Sequence, residues 1–108
     1  SVGGNSATLD EVAGLDKKRL RQEAAAKRIQ LAPLRQAAKK VEKEIEKIQK
    51  ELERIESSLA DESLYTESNK STLTKLLQNQ GRLKTTLNDK EEKWFELETE
   101  MESAAQDI

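Results

Sequence analysis

Histidine and cysteine are missing altogether from the 108 residues, and the aromatics amount to one Trp, one Tyr and one Phe. The first two absences exclude imidazole bases, thiolate nucleophiles, disulfides, Cys/His zinc sites and c-type haem attachment. With 34% hydrophobic and 3% aromatic residues there is too little apolar mass for a globular core enclosing a cleft, which argues against a compact enzyme. No run approaches the roughly 20 apolar residues that a membrane-spanning helix needs. The first residues lack the basic-then-apolar layout of a secretory leader, so a soluble, cytoplasmic chain is expected. Glycine-rich phosphate loops, serine nucleophile elbows and calcium-loop spacings are missing too.

What is present is charge and helix-forming material. Charged residues make up 37% of the chain against 4 Gly and 1 Pro, and the mixture of Lys, Glu, Leu, Ala, Gln and Arg suits long helices. Residues 1–14 hold three of the four glycines and no Lys or Arg, and read as a flexible linker or cloning remnant. Thr8 and Glu11 have capping-box spacing, enough for a short turn before Gly14, whereas Asp16 is the expected cap of the first long helix.

Periodicity is the strongest signal. Leu34, Ala38, Val41, Ile45, Ile48, Leu52, Ile55 and Leu59 are spaced alternately by four and three, which places them on one narrow helical stripe. A second stripe follows through Leu73, Leu76, Gln80, Leu83, Leu87, Lys90, Trp94, Leu97 and Met101. Between them, Asp61, Glu62, Ser63, Thr66 and Ser68 favour caps and turns over helix interior. The predicted fold is all-α: an antiparallel two-helix coiled-coil hairpin over residues 15–108, with a flexible N-terminal segment. Helix 1 is expected over 16–59, kinked near Pro33, the turn over 60–68 and helix 2 over 69–105. Pairing Leu59 with Leu73 sets Trp94 opposite Ala38, Ile45 opposite Leu87 and Val41 beside Lys90, so the largest ring meets a small residue. Pro33 costs a helix interior about 3 kcal/mol and Gly81 about 1 kcal/mol relative to Ala. Trp94 reads as core, because base-stacking sites gather several rings; Phe95 falls off the seam and lies exposed or wraps the flank. Tyr65 is expected to plug the hairpin tip over Leu59, with its hydroxyl bonded locally.

The net charge of −2 argues against a generic polyanion binder, but it hides a polarity. Lys17 to Lys40 carries nine basic residues and one acid, Glu23, whereas Asp89 to Asp107 carries eight acids against Lys90 and Lys93. In the hairpin register the two segments lie side by side, so partial mutual neutralisation is expected. Lys17, Lys18, Arg19 and Arg21 reach beyond the paired region and remain unneutralised. They are the leading candidates for phosphate contact, followed by Lys27, Arg28 and Arg35, whose other reading is a solvated, partly paired helix face. Surface Glu residues on a two-helix rod have no cleft in which a pKa could be raised for acid or base work, so no catalytic residue and no metal site is assigned.

The stretches Pro33-Leu34-Arg35, Val41-Glu42-Lys43-Glu44-Ile45-Glu46-Lys47-Ile48 and Leu59-Ala60-Asp61-Glu62-Ser63-Leu64-Tyr65, with the late Trp94, resemble the C-terminal coiled-coil domain of ABC-F proteins. Uup-like and YheS-like bacterial branches are the nearest in likeness, over roughly Asp16 to Ser103. The resemblance implies a parent that is a soluble tandem ATP-binding-cassette ATPase without membrane spans, from a family acting on ribosomes as translation factors and, in the Uup-like branch, binding DNA. No Walker A loop, signature sequence or catalytic Glu after a Walker B strand has a counterpart here. ATP and magnesium are therefore expected only in the parent's nucleotide-binding domains, with no cofactor in this chain. The expected role is a non-catalytic accessory domain, a monomeric hairpin that contributes contact with DNA or ribosomal RNA. The alternative is a structural coiled coil that docks on the parent ATPase domains or self-associates.

Overall fold

The computed structural model describes residues 8–106, which form two long helices: α1 over Leu9–Leu59 and α2 over Lys70–Gln106. No strand occurs among the described residues. The chain divides into two compact units, Ser1–Pro33 and Leu34–Ile108.

In the first unit, helix begins earlier than the sequence suggests. The Glu11 amide donates to Thr8 Oγ1 at 3.1 Å and the Thr8 amide donates to the Glu11 carboxylate at 3.3 Å, a complete capping box. Asp10 and Glu11 in the first turn also suit the positive end of the helix dipole. These contacts carry the helix through Gly14, so Leu9, not Asp16, is its first residue, and residues 9–14 are helix where linker was expected. Asp16 is interior to α1 and caps nothing. The rest of the expected linker, residues 1–7, lies outside the described residues. α1 then passes through Pro33 without ending, and the unit boundary falls directly after that proline.

The second unit is the antiparallel hairpin. On the α1 side Ala38, Val41, Ile48 and Ile55 are buried, and Leu34, Ile45, Leu52 and Leu59 are half-buried. On the α2 side Leu97 is buried, while Leu73, Leu76, Leu83, Leu87, Trp94 and Met101 are half-buried. Partial burial follows from the architecture, since each helix is covered on one side only. The tightest packing lies toward the open end, where Ala38, Val41 and Leu97 form a buried cluster flanked by Leu34, Ala37, Ile45, Trp94 and Met101. A small residue at Ala38, 3% exposed, is what admits the indole and Leu97 together. Within α2, the hydroxyls of Thr74, Thr85, Thr86 and Thr99 each donate to the carbonyl four residues earlier, so these β-branched residues sit in a helix with their polar groups satisfied.

Two single-turn 3-10 helices, Glu62–Tyr65 and Glu67–Asn69, make the reversal. Asp61 caps the first, accepting from the Ser63 amide at 3.0 Å and the Ser63 hydroxyl at 2.9 Å. The Ser63 carbonyl in turn accepts from Thr66 Oγ1 and Asn69 Nδ2, both at 2.9 Å. The residue that plugs the tip is Leu64, 8% exposed, rather than Tyr65, which stays 59% exposed. Tyr65 lies across the outside, and its hydroxyl donates at 2.7 Å to the Leu59 carbonyl. That carbonyl belongs to the last turn of α1, where the helix itself supplies no donor.

Candidate nucleic-acid interface

In the first unit Lys17, Lys18, Arg19, Arg21 and Arg28 are exposed and Lys27 is half-buried. Spacings of four and seven put Lys17, Arg21 and Arg28 on one face of α1, and between Lys17 and Arg28 that face carries no carboxylate. Asp16 and Glu23 project from another face, together with Arg19. The Arg19 guanidinium lies 3.7 Å from the Asp16 carboxylate and 3.8 Å from that of Glu23. Arg19 therefore departs from the expected unneutralised group, because its own helix supplies acids at i−3 and i+4. Among the described residues Lys17, Lys18 and Arg21 form no ion pair.

In the second unit Arg35 is exposed, and so is Lys39 one turn later on the same face, a cation that the spacing of four adds to the candidates. The expected neutralisation of this end of the basic segment does not occur: among the described residues Arg35, Lys39 and Lys40 form no ion pair. The one ion pair joining the two helices among the described residues has the opposite polarity. Lys90, from the acidic half of α2, reaches Glu44 of α1. Lys90 is half-buried on the seam stripe of α2, and its ammonium leaves the seam toward the Glu44 carboxylate. The hydrogen bond from Lys90, with lesser help from the charges of Lys90 and Lys40, holds the Glu44 carboxyl below its ordinary value against a partial desolvation that pushes the other way. Trp94 makes the second cross-hairpin contact, its indole N–H donating to the Glu42 carboxylate at 2.9 Å. This explains how an indole sits in the seam with its polar edge satisfied.

Two shallow hollows run along faces of α2, one lined by Lys75, Gln78, Asn79 and Arg82 and the other by Asn88, Glu91, Glu92, Phe95 and Glu96. Among the described residues no group of three or more carboxylates could hold a metal ion. No helix among them is long and apolar enough to cross a membrane.

The family model of the ABC transporter C-terminal domain matches residues 33–99, which spans the whole hairpin from Pro33 through the Trp94 and Leu97 packing. The chain belongs to this family. No curated protein and no solved structure gives a match. As an ABC transporter C-terminal domain, the chain is an accessory element of an ABC protein. The match begins at Pro33, so the basic helix of the first unit lies almost wholly outside it.

Proposed function

We propose that this domain is the non-catalytic C-terminal accessory of an ABC-F-type ATPase and contributes contact with a nucleic acid, DNA or ribosomal RNA. The observation that supports the reading is the exposed face bearing Lys17, Arg21 and Arg28, joined by Lys18 beside it, with no carboxylate among them. Cations held in a row by a helix, free of local acids, attract phosphates and gain from the counterions those phosphates release. Arg19 takes no part, since Asp16 and Glu23 already occupy it. ATP and magnesium belong to the parent's nucleotide-binding domains, and the accessory would act from the cytoplasm as a stiff lever.

The test is affinity for duplex DNA or structured RNA as a function of salt. Four phosphate contacts give log affinity against log salt a slope of about −3.6 on duplex DNA. Reversing Lys17, Lys18, Arg21 and Arg28 to Glu should flatten it. A slope that survives the reversal removes this face from the interface, and a chain with no salt-dependent binding overturns the reading. The second reading, docking on the parent ATPase domains, draws on Leu15, Leu20 and Ile29, which stand 64%, 59% and 75% exposed on the same helix. It predicts capture of isolated parent ATPase domains with little salt dependence.

A further inference from the structure

Phe95 stands 68% exposed on α2 in a chain with one Phe, one Tyr and one Trp, so one of its few large apolar groups serves no packing. Helical spacing surrounds the ring with acids. Glu91 and Glu92 lie one turn before it and Glu98 one turn after, each three or four residues away and therefore beside Phe95 on the helix surface. The fourth such neighbour, Thr99, has its hydroxyl committed to the Phe95 carbonyl at 2.9 Å. Among the described residues Glu91, Glu92 and Glu98 form no ion pair, and Glu96 has Lys93 alone, at 4.0 Å. The hollow that Phe95 shares with Glu91, Glu92 and Glu96 measures about 380 Å³, room for a side chain to lie along the ring.

Two properties of this face select its occupant. Carboxylates repel phosphate, which turns away nucleic acids and anionic bilayers and leaves a protein that brings positive charge. The exposed ring then separates the two common cationic side chains. A guanidinium is planar and weakly hydrated, and it stacks on an aromatic face while it forks onto a carboxylate; an ammonium keeps its water and gains less from the ring. Residues one turn apart have Cβ atoms about 5–6 Å from each other, so one guanidinium over Phe95 is within reach of Glu91 or Glu92. We propose that the Phe95 face of α2 is a docking surface for an arginine-bearing segment of a partner protein, with Phe95 as the stacking platform and Glu91 and Glu92 as the pairing carboxylates. The surface belongs to the second unit and to the stretch that the family model matches. It takes no part in the polyanion reading, whose failure would leave it standing.

Two synthetic peptides, a triple repeat of Gly-Ser-Arg and a triple repeat of Gly-Ser-Lys, probe the full chain with no nucleic acid present. In a titration followed by backbone amide shifts, the arginine peptide should move residues 88–98 and bind about two- to fivefold more tightly than the lysine peptide, the gain expected of a cation over a ring at an exposed site. Phe95→Leu keeps apolar bulk but removes the π face, so it should erase the preference, whereas Phe95→Tyr should keep it. Glu91→Gln together with Glu92→Gln should weaken both peptides at low salt, with helix content by circular dichroism unchanged because both side chains are exposed. The absence of shifts at 88–98, equal affinity for the two peptides, or an arginine preference that survives Phe95→Leu overturns the proposal.

Discussion

Leu97 and Phe95 stand two residues apart on α2 and are 4% and 68% exposed, a contrast that turns the packing into a measurable quantity. Leu97 packs against Ala38 and Val41 in the buried cluster. Leu97→Ala deletes three carbons from that cluster, and such deletions cost about 2–5 kcal/mol depending on how far the site collapses. Collapse is easy here because only one other helix borders the site, so the low end applies, about 2.5 kcal/mol. Phe95→Ala removes a larger side chain from solvent contact and should stay within about 0.5 kcal/mol. For a unit of this size with total stability near the lower limit, about 5 kcal/mol, the first change takes roughly half of what holds the hairpin together. The midpoint of thermal unfolding should drop by about 10–20 °C, and the urea midpoint should fall with an unchanged slope. Far-ultraviolet circular dichroism reads the helices, and the fluorescence of Trp94, the sole tryptophan, reads the cluster itself. A Leu97→Ala loss below about 1 kcal/mol, or a Phe95→Ala loss as large, would refute the claim that this seam and not the outer face carries the energy.

Gly81 lies inside α2, and a Cβ built there meets nothing within 4 Å. Gly81→Ala should therefore stabilise the hairpin by about 0.5–1 kcal/mol in urea unfolding, and a destabilised variant would contradict the open space at that position. The Glu44–Lys90 pair makes stability depend on pH in a defined direction. Because Lys90 lowers the folded-state pKa of Glu44, the unfolded chain binds this proton more readily. Its contribution is complete above the ordinary carboxylate range near about 4.3 and is lost as pH falls through the lowered folded value. Glu44→Gln should flatten the acid side of a plot of urea midpoint against pH, and acid limbs that superimpose would show that the pair carries no such linkage.

The hairpin was legible because its signal is repeated. Eight α1 positions from Leu34 to Leu59 keep one phase, and the structure buries or half-buries all of them. Pairing Leu59 with Leu73 set Trp94 opposite Ala38, a fit of large to small, and both belong to the same packed cluster. The start of α1 was not legible in the same way. Three glycines and the lack of Lys or Arg made residues 1–14 read as linker, whereas two side-chain bonds between Thr8 and Glu11 decide the start of the helix locally. Charge was misread for a different reason. Segment totals describe the long-range field, but an ion pair needs an acid within reach of one side chain, and for Lys90 that acid is Glu44, on the basic helix. Arg19 shows the same thing within one helix, where i−3 and i+4 neighbours outrank any distant segment.

The two cross-hairpin polar contacts have a common consequence for specificity. A heptad seam of Leu, Ile and Val is nearly indifferent to sliding by seven residues, since each slipped layer is again aliphatic on aliphatic. Lys90 breaks that indifference: in the observed register its ammonium reaches Glu44, whereas a slip of one heptad toward the turn or away from it carries the lysine to a different acid or to none. Trp94 adds a second condition, because its ring needs the space above Ala38 while its N–H needs Glu42, and these two lie a single turn apart on α1. A charged residue in the seam costs apolar contact, and that cost selects one register from several of nearly equal hydrophobic energy. The turn fixes the ends of both arms, with Tyr65 bonded to the Leu59 carbonyl and Asn69 to the Ser63 carbonyl, and Glu42, Glu44, Lys90 and Trp94 set a second condition on the alignment near the open end.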